Sequence, residues 1–308
     1  LPIWSEILTE LGESQAGGNI DYDGVRRKYL MALYQHTQRN VILYASGWLQ
    51  KDLMPAIASI NDEDIQALME VTQGLEGSKL DLILHSPGGS LETTEAIVSY
   101  LRSRFSDIRV IVPQVAMSAA TMIACAADQI VLGKHSFLGP TDPQIIIQTP
   151  LGLRQVAAQA VLDQFDKAQR ECKDPAKLSS WLPMLSQYGP DLLERCEKAL
   201  DLSKSLVKTW LETYMFKGSN DSSTKATEVS DWLANHKYFK SHNRHISREI
   251  LRQAGLVILK LEDDEELQDM SLSVFHATTH TFMGTTATKI VENHTGRAFI
   301  KQMNASNQ

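Results

Sequence analysis

Short uninterrupted apolar runs alternate along the chain with segments of helical period, and their order predicts the architecture. Asn40 to Ala45, Leu80 to Leu84, Ile108 to Val112 and Gln129 to Leu132 are apolar runs of strand length. Helical patterns lie between them. Asn61 can cap a helix whose Ile65, Leu68, Met69 and Leu75 follow the helical period, and Gly77 ends it. Leu91 to Phe105 turns Ile97, Val98 and Leu101 inward, and Ala119 to Ala127 reads as a helix of mostly small residues. Strand–helix–strand order at this spacing implies parallel strands joined by crossover helices, hence an α/β sheet.

The flanks are simpler. Arg26 to Tyr34 is amphipathic, so residues 1–39 are expected to be a helical segment. From Arg154 to Phe216 the pattern is almost wholly helical, broken near Lys173-Asp174-Pro175 and at Gly189-Pro190. A polar linker, Gly218 to Thr224, leads to helices at Glu228 to Asn235 and Ser247 to Ala254 and a strand at Gly255 to Leu261. A helix around Glu265 to Phe282 and an extended segment near Lys289 to Ile300 follow. The expected organisation is segment 1–39 and one domain, 40–308, with a helical extension at about 154–216.

Composition narrows the function classes. At 308 residues, 43% apolar and 22% charged, the chain is an ordinary globular protein with a sizeable core. A net charge of −7 argues against general nucleic-acid binding. Cys125, Cys172 and Cys196 have no paired or metal-like spacing, which predicts a reducing compartment and no disulfide framework. Val110 to Ala127 is long and uncharged, but Pro113, Gln114 and Ser118 interrupt it, so a buried strand and a buried helix are expected rather than a membrane span. Leu1-Pro2-Ile3-Trp4 shows no basic segment followed by an apolar one, so no signal peptide and a cytoplasmic location are expected. His276 and His280 have the spacing of a zinc helix without its glutamate or a third ligand, and no metal is expected. Neither a Walker loop nor a Gly-x-Gly-x-x-Gly fingerprint is present, and no cofactor is expected.

Candidate chemistry lies in two turns, each following an apolar run: Ser86-Pro87-Gly88-Gly89-Ser90 and Ala116-Met117-Ser118-Ala119-Ala120. Taken alone, the first is a tight turn between strand and helix, and Ser118 is a helix N-cap. Taken together, they can aim backbone N–H groups and one hydroxyl at the same spot, as acyl transfer requires of an oxyanion hole and a nucleophile. Glycine lets a substrate carbonyl approach closely.

The series Leu82-Ile83-Leu84-His85-Ser86-Pro87-Gly88-Gly89, Met117-Ser118-Ala119-Ala120-Thr121, Ala127-Asp128-Gln129-Ile130-Val131 and Leu138-Gly139-Pro140-Thr141-Asp142-Pro143-Gln144 resembles the Clp/crotonase superfamily. Within it the sequence is most similar to the serine dehydrogenase proteinase family, itself similar to signal peptide peptidase. The strong match covers about Asn40 to Gln144, with looser likeness through Trp181 to Tyr188 and Ser241 to Gly255 towards Asn293-His294. The resemblance implies a fold of repeated ββα units, Ser118 as nucleophile, an oxyanion hole from the N–H of Gly88 or Gly89 and of Ala119, and self-assembly into homo-oligomers.

The general base stays open at this point. The Clp subunit carries a histidine where this chain has Pro140, Thr141 or Asp142, and His135 comes too early. A signal-peptide-peptidase-like lysine would be Lys167, Lys173 or Lys177, with Lys167 best spaced; its neutral form would require burial. His242, in the segment before Arg248 to Leu256, which resembles the helix-and-strand piece that follows the acid of the Clp triad, is the other candidate. The leading expectation is a serine endopeptidase of Ser/Lys or Ser/His type acting on peptides or unstructured protein, with a separate partner delivering folded substrates. The alternatives are a crotonase-like acyl-CoA enzyme that uses the two amides without a nucleophile, and an inactive oligomeric scaffold.

Overall fold

A computed structural model describes residues 3–16, 18–149 and 152–303, so Leu1, Pro2, Gly17, Pro150, Leu151 and residues 304–308 of the expected organisation lie outside the described residues. Helices α1 (Trp4–Glu13) and α2 (Tyr22–Thr37) precede strand β1 (Asn40–Ser46). There follow α3 (Glu63–Thr72), β2 (Lys79–His85), α4 (Leu91–Arg104), β3 (Asp107–Val112), β4 (Val115–Ala116), α5 (Ala119–Cys125), β5 (Gln129–Leu132) and β6 (Phe137–Leu138). A hairpin of β7 (Gln144–Thr149) and β8 (Gly152–Ala157) leads into α6 (Ala158–Glu171), α7 (Pro175–Leu185), α8 (Leu192–Trp210) and α9 (Ser222–Leu233). Then come β9 (Ile246–Ser247), α10 (Arg248–Gln253), β10 (Ile258–Lys260), α11 (Glu265–Gly284), β11 (Ala287–Asn293) and β12 (Ala298–Gln302).

The central sheet runs β10-β5-β3-β2-β1-β11-β12. Its first five strands are parallel. The last two are antiparallel. This is a mixed α/β fold with a parallel-rich sheet. Strand alternation divides the core. Val41, Leu43, Ala45, Ile83, Ile111 and Val131 face α2 and α11, against Leu30, Leu33, Val274 and Phe282. Ile42, Leu82, Leu84, Val110 and Ile130 face the other way, against Ala67 and Leu68 of α3, Ile97 and Leu101 of α4, and nearly all of α5. Runs buried on both faces read as continuously apolar, which is why these strands are legible in the sequence.

Several expectations need correction. Arg154 to Ala157 is strand rather than helix, because Gly152 at φ +97° starts the return of a hairpin that pairs Val156 with Ile145. The helix after Asn61 ends at Thr72, so Leu75 enters the core from a loop while Met69 is 54% exposed. Asn61 nevertheless works at that helix start, its Oδ1 accepting from Glu63 N at 3.2 Å. Helix α9 begins inside the expected linker, at Ser222. The extended segment after Lys289 turns back at Gly296 (φ +88°) to make β11 and β12. All three cysteines are free. Among the described residues no helix is long and apolar enough to cross a membrane.

Candidate active site

A small sheet of two-residue strands, ordered β9-β6-β4, gathers the chemistry. Leu138 of β6 lies between Ala116 of β4, parallel to it, and Ile246 of β9, antiparallel. Ala116 in turn bridges Ser86 in parallel. Four distant segments therefore stand in register, each about 4.8 Å from the next. Because three run one way and the fourth runs back, residues after Ser86, Ala116 and Leu138 leave from the end at which residues before Ile246 arrive. Gly88 and Gly89, Ser118, Asp142 and His242 are the residues found there.

Ser118 stands at the N-cap of α5 with φ +52° and ψ −120°, a conformation rare outside glycine. Such strain costs about 1–3 kcal/mol and persists only where the surroundings impose it. Here Met117 N donates to Ser86 O at 2.9 Å, Ala120 N to Met117 O at 2.9 Å, and Met122 N to Ser118 O at 3.1 Å. Thr121 Oγ1 donates to Ala116 O at 2.9 Å and accepts from Gly139 N at 3.0 Å, tying the turn to the stretch after β6. The Ser118 hydroxyl makes no cap hydrogen bond. It is half-buried, while Met117 and Ala119 on either side are buried. The N-cap position is real, but its hydroxyl is left for other work.

The glycine turn lies against this serine. Gly88 has φ +97°, and a Cβ on it would fall 2.8 Å from Ser118 Cβ and 2.9 Å from Ala119 N. Its own N–H donates to Ser86 Oγ at 3.2 Å. Ile60 N donates to Gly88 O at 2.8 Å and Ser90 N to Ile60 O at 3.1 Å, so the Ile60 strand holds one edge of the turn. In an extended backbone successive groups point to opposite edges, so the N–H of Gly89 points away from Ile60. Gly89 is exposed. Ala119, first residue of its helix, has no carbonyl one turn back to receive its N–H.

The sequence leaves the partner of His242 unnamed, and the structure supplies one. Asp142 is 1% exposed. Its Oδ1 meets His242 Nδ1 at 2.9 Å and its Oδ2 meets His236 Nδ1 at 2.9 Å. Gln144 Nε2 donates to Oδ2 at 3.1 Å. An ionised carboxylate only accepts, so each imidazole presents Nδ1–H to it and keeps Nε2 as the basic lone pair. His242 lies four residues before Ile246 and Asp142 four after Leu138, and the β9–β6 register closes that gap across a separation of 100 residues. Ser203 Oγ donates to Thr141 O at 2.8 Å and so fixes the loop from α8. His236 carries no motif that sequence reading could have used; only the shared carboxylate reveals it.

Lys167 is elsewhere in character: its side chain is 61% exposed on α6 and 3.9 Å from Glu171. Lys173 and Lys177 are exposed too. His135 is exposed. His276 is pushed down to about 4 by burial, and His280 Nε2 meets Trp4 O at 3.1 Å. Among the described residues no group of histidine, cysteine or acidic side chains could hold a metal. Under the glycine turn, on the α11 side of the sheet, burial pushes His85 down to about 4.

Two uncharacterized proteins of Methanocaldococcus jannaschii are similar, one 31% identical over 52% of this chain and 57% of its own length, the other 29% identical over 50% and 52%. The chain thus spans about half the length of the curated relatives it matches. No solved structure matches. The model of the ClpP-like SDH-type serine proteinases matches residues 53–270, a span that takes in both turns, Asp142, His236 and His242. With well over half of its length inside that match, the chain belongs to the ClpP-like SDH-type serine proteinase family.

Proposed function

We propose that the protein is a serine endopeptidase of Ser/His type in which Ser118 is the nucleophile, His242 the base, Asp142 the group that orients it, and the N–H groups of Gly89 and Ala119 the oxyanion hole. The observation that carries this reading is the register Ser86–Ala116–Leu138–Ile246, which brings all five residues to one end of one small sheet. Ser118 Oγ attacks the scissile carbonyl carbon while His242 Nε2 takes its proton. The carbonyl oxygen becomes anionic between the two N–H groups. Collapse breaks the C–N bond, and His242 returns the proton to the leaving amine. Water then repeats the sequence on the acyl ester, releasing the acid and Ser118.

Between Gly88 and Gly89, the commitment of the Gly88 N–H to Ser86 Oγ favours Gly89 as the donor. Between Lys167 and His242, burial favours His242. A lysine base must be kept neutral by a dry environment, and Lys167 is largely in solvent. His242 is 18% exposed and held by a buried carboxylate, as a triad base requires.

The wider reading follows from family membership. The fold is of the Clp/crotonase kind, supported by β3, β4 and α5 following one another as two strands and a helix. Residues 1–39 are a mainly helical segment whose α2 packs Leu30 and Leu33 into the core of the domain over 40–308. The enzyme is cytoplasmic and homo-oligomeric, takes peptides or unstructured segments, and relies on a separate partner to deliver folded substrates. Nothing observed favours the acyl-CoA or scaffold alternatives.

Labelling with an alkyl fluorophosphonate tests the proposal. An adduct on Ser118, mapped by mass spectrometry, lost in Ser118→Ala and slowed in His242→Gln, is the expected result. A folded protein that takes up no label refutes it.

A further inference from the structure

The segment that holds the glycine turn is itself held by a buried charge network that the proposed chemistry does not use. The Ile60 backbone clamps Gly88 and Ser90, and it can do so because Gly89 lacks a side chain: a Cβ there would fall 2.3 Å from Ile60 O and 2.4 Å from Ile60 N. Ile60 therefore fixes the height of the Gly89 N–H. What fixes Ile60 lies on both sides of it. Lys289 Nζ, on β11, donates to Ser59 O at 2.9 Å. Its two remaining protons go to Asp64 Oδ1 and Oδ2 at 2.7 and 2.8 Å. Asp64 Oδ2 also accepts from Asn61 N at 2.9 Å and from Tyr44 Oη at 2.7 Å.

Lys289 and Asp64 are each 1% exposed. Every ammonium proton has an acceptor, so the pair meets the condition under which buried charges are tolerated. Burial lowers the lysine below its ordinary value against the pull of Asp64, and burial with Asp64 raises Tyr44 well above its own. A buried ion pair is a weak device for stability and a good one for fixing geometry. This one grips the carbonyl before Ile60 and the N–H after it. Ser46 Oγ, across from Lys289 in the β1–β11 register, is buried without a partner and takes no part in the grip.

We propose that Lys289, through its ion pair with Asp64, is a positioning residue that sets the Ser59–Ile60–Asn61 strand and thereby the Gly89 N–H of the oxyanion hole. Lys289 lies beyond residues 53–270, in the part of the chain that the family match does not reach. The proposal rests on the oxyanion reading for its catalytic consequence, while its structural half stands on the hydrogen bonds alone.

Two readouts separate these halves. Lys289→Met strands a buried carboxylate and can unfold the chain, so the working variant is Lys289→Met with Asp64→Leu, which removes both charges. Amide exchange followed by mass spectrometry should show residues 59–61 and 86–92 exchanging at least tenfold faster in the double variant, with α11 and β3 unchanged. On a fluorogenic peptide, kcat should fall about tenfold to hundredfold with KM within twofold, since a displaced donor acts on the transition state. Lys289→Arg, which keeps the charge, should recover most of the loss. Wild-type exchange in the double variant would overturn the proposal whether or not the wild type turns over peptide. Faster exchange with unchanged kcat would overturn its catalytic half. An inactive wild type would sink the peptidase reading and leave the exchange result to decide the positioning.

Discussion

Replacing Gly88 by alanine should damage activity far more than stability, and the structure gives both magnitudes. A Cβ on Gly88 would lie 2.7 Å from Met117 O, 2.8 Å from Ser118 Cβ and 2.9 Å from Ala119 N. Ordinary contacts are about 3.5–4.0 Å, so something must move by roughly 0.7 Å or more. None of the three atoms can rotate away, because two are backbone and the third is a Cβ. Overpacking costs about 1–3 kcal/mol and the φ of +97° about 1–2 more. At ~2–4 °C per kcal/mol in a chain of this size class, the melting temperature should fall by roughly 4–20 °C. The displaced groups, however, are the proposed nucleophile and a proposed oxyanion donor. A misplacement of about 1 Å costs on the order of a hundredfold in rate, and losing one donor about 10²–10³-fold. The assay is the second-order rate of fluorophosphonate labelling at a temperature where both proteins are folded. Gly74→Ala is the control: it has φ +80° with nothing within 4 Å of the new Cβ, so it carries backbone strain without the collision. A folded Gly88→Ala protein that labels as fast as Gly74→Ala would refute the placement of the turn against Ser118.

Asp142→Asn should lower kcat by about 10³–10⁴-fold, because an amide has one accepting oxygen for two imidazoles and its NH₂ turns one ring to the wrong tautomer. A loss below tenfold in steady-state peptide hydrolysis would argue against Asp142 as the orienting group. Lys167→Ala should leave the labelling rate within twofold, and a collapse would restore the lysine as base. His85, pushed to about 4, stays neutral in the fold while the unfolded chain protonates near 6.5. Its depressed value makes the stability full above about pH 6.5 and lost as pH falls towards 4, by about 3 kcal/mol. Urea midpoints at pH 6.5 and 4.5 should therefore separate less in His85→Leu than in the wild type, and an equal separation would mean another group governs the acid limb.

What the sequence revealed and what it hid have one physical basis. The strands β1, β2, β3 and β5 are covered by helices on both faces, so they stand out as unbroken apolar runs, and the crossover helices between them keep their period. Hairpin β7–β8 was hidden because its exposed Ile146 and Leu153, at 61% and 69%, give neither a clean alternation nor a buried run. The two glycines could be named because they follow the legible β2, and Ser118 because it opens a helix of mostly small residues. Asp142 and His236 could not be paired with His242, since strands of two residues carry no periodic signal and the bond spans 100 residues.

The same small sheet explains why the site tolerates strain at its centre. A serine at φ +52° is stable only if its flanks are over-determined, and each flank of Ser118 is tied to a different element: Met117 to Ser86, Thr121 to both Ala116 and Gly139. These are among the contacts that bring the glycine turn and the Asp142 loop alongside. Holding Ser118 in its strained pose and assembling its proposed partners are therefore one structural act. A substitution that relaxes Ser118 must also loosen the glycine turn or the Asp142 loop. Thr121→Val, which removes the hydroxyl between Ala116 O and Gly139 N, is the mildest such change and should cost activity before it costs the fold. Its labelling rate should fall by about tenfold with a melting shift of several degrees, as expected for two lost buried hydrogen bonds of about 1 kcal/mol each. Parallel losses of rate and stability in every variant of this sheet would instead make it a structural brace with no share in catalysis.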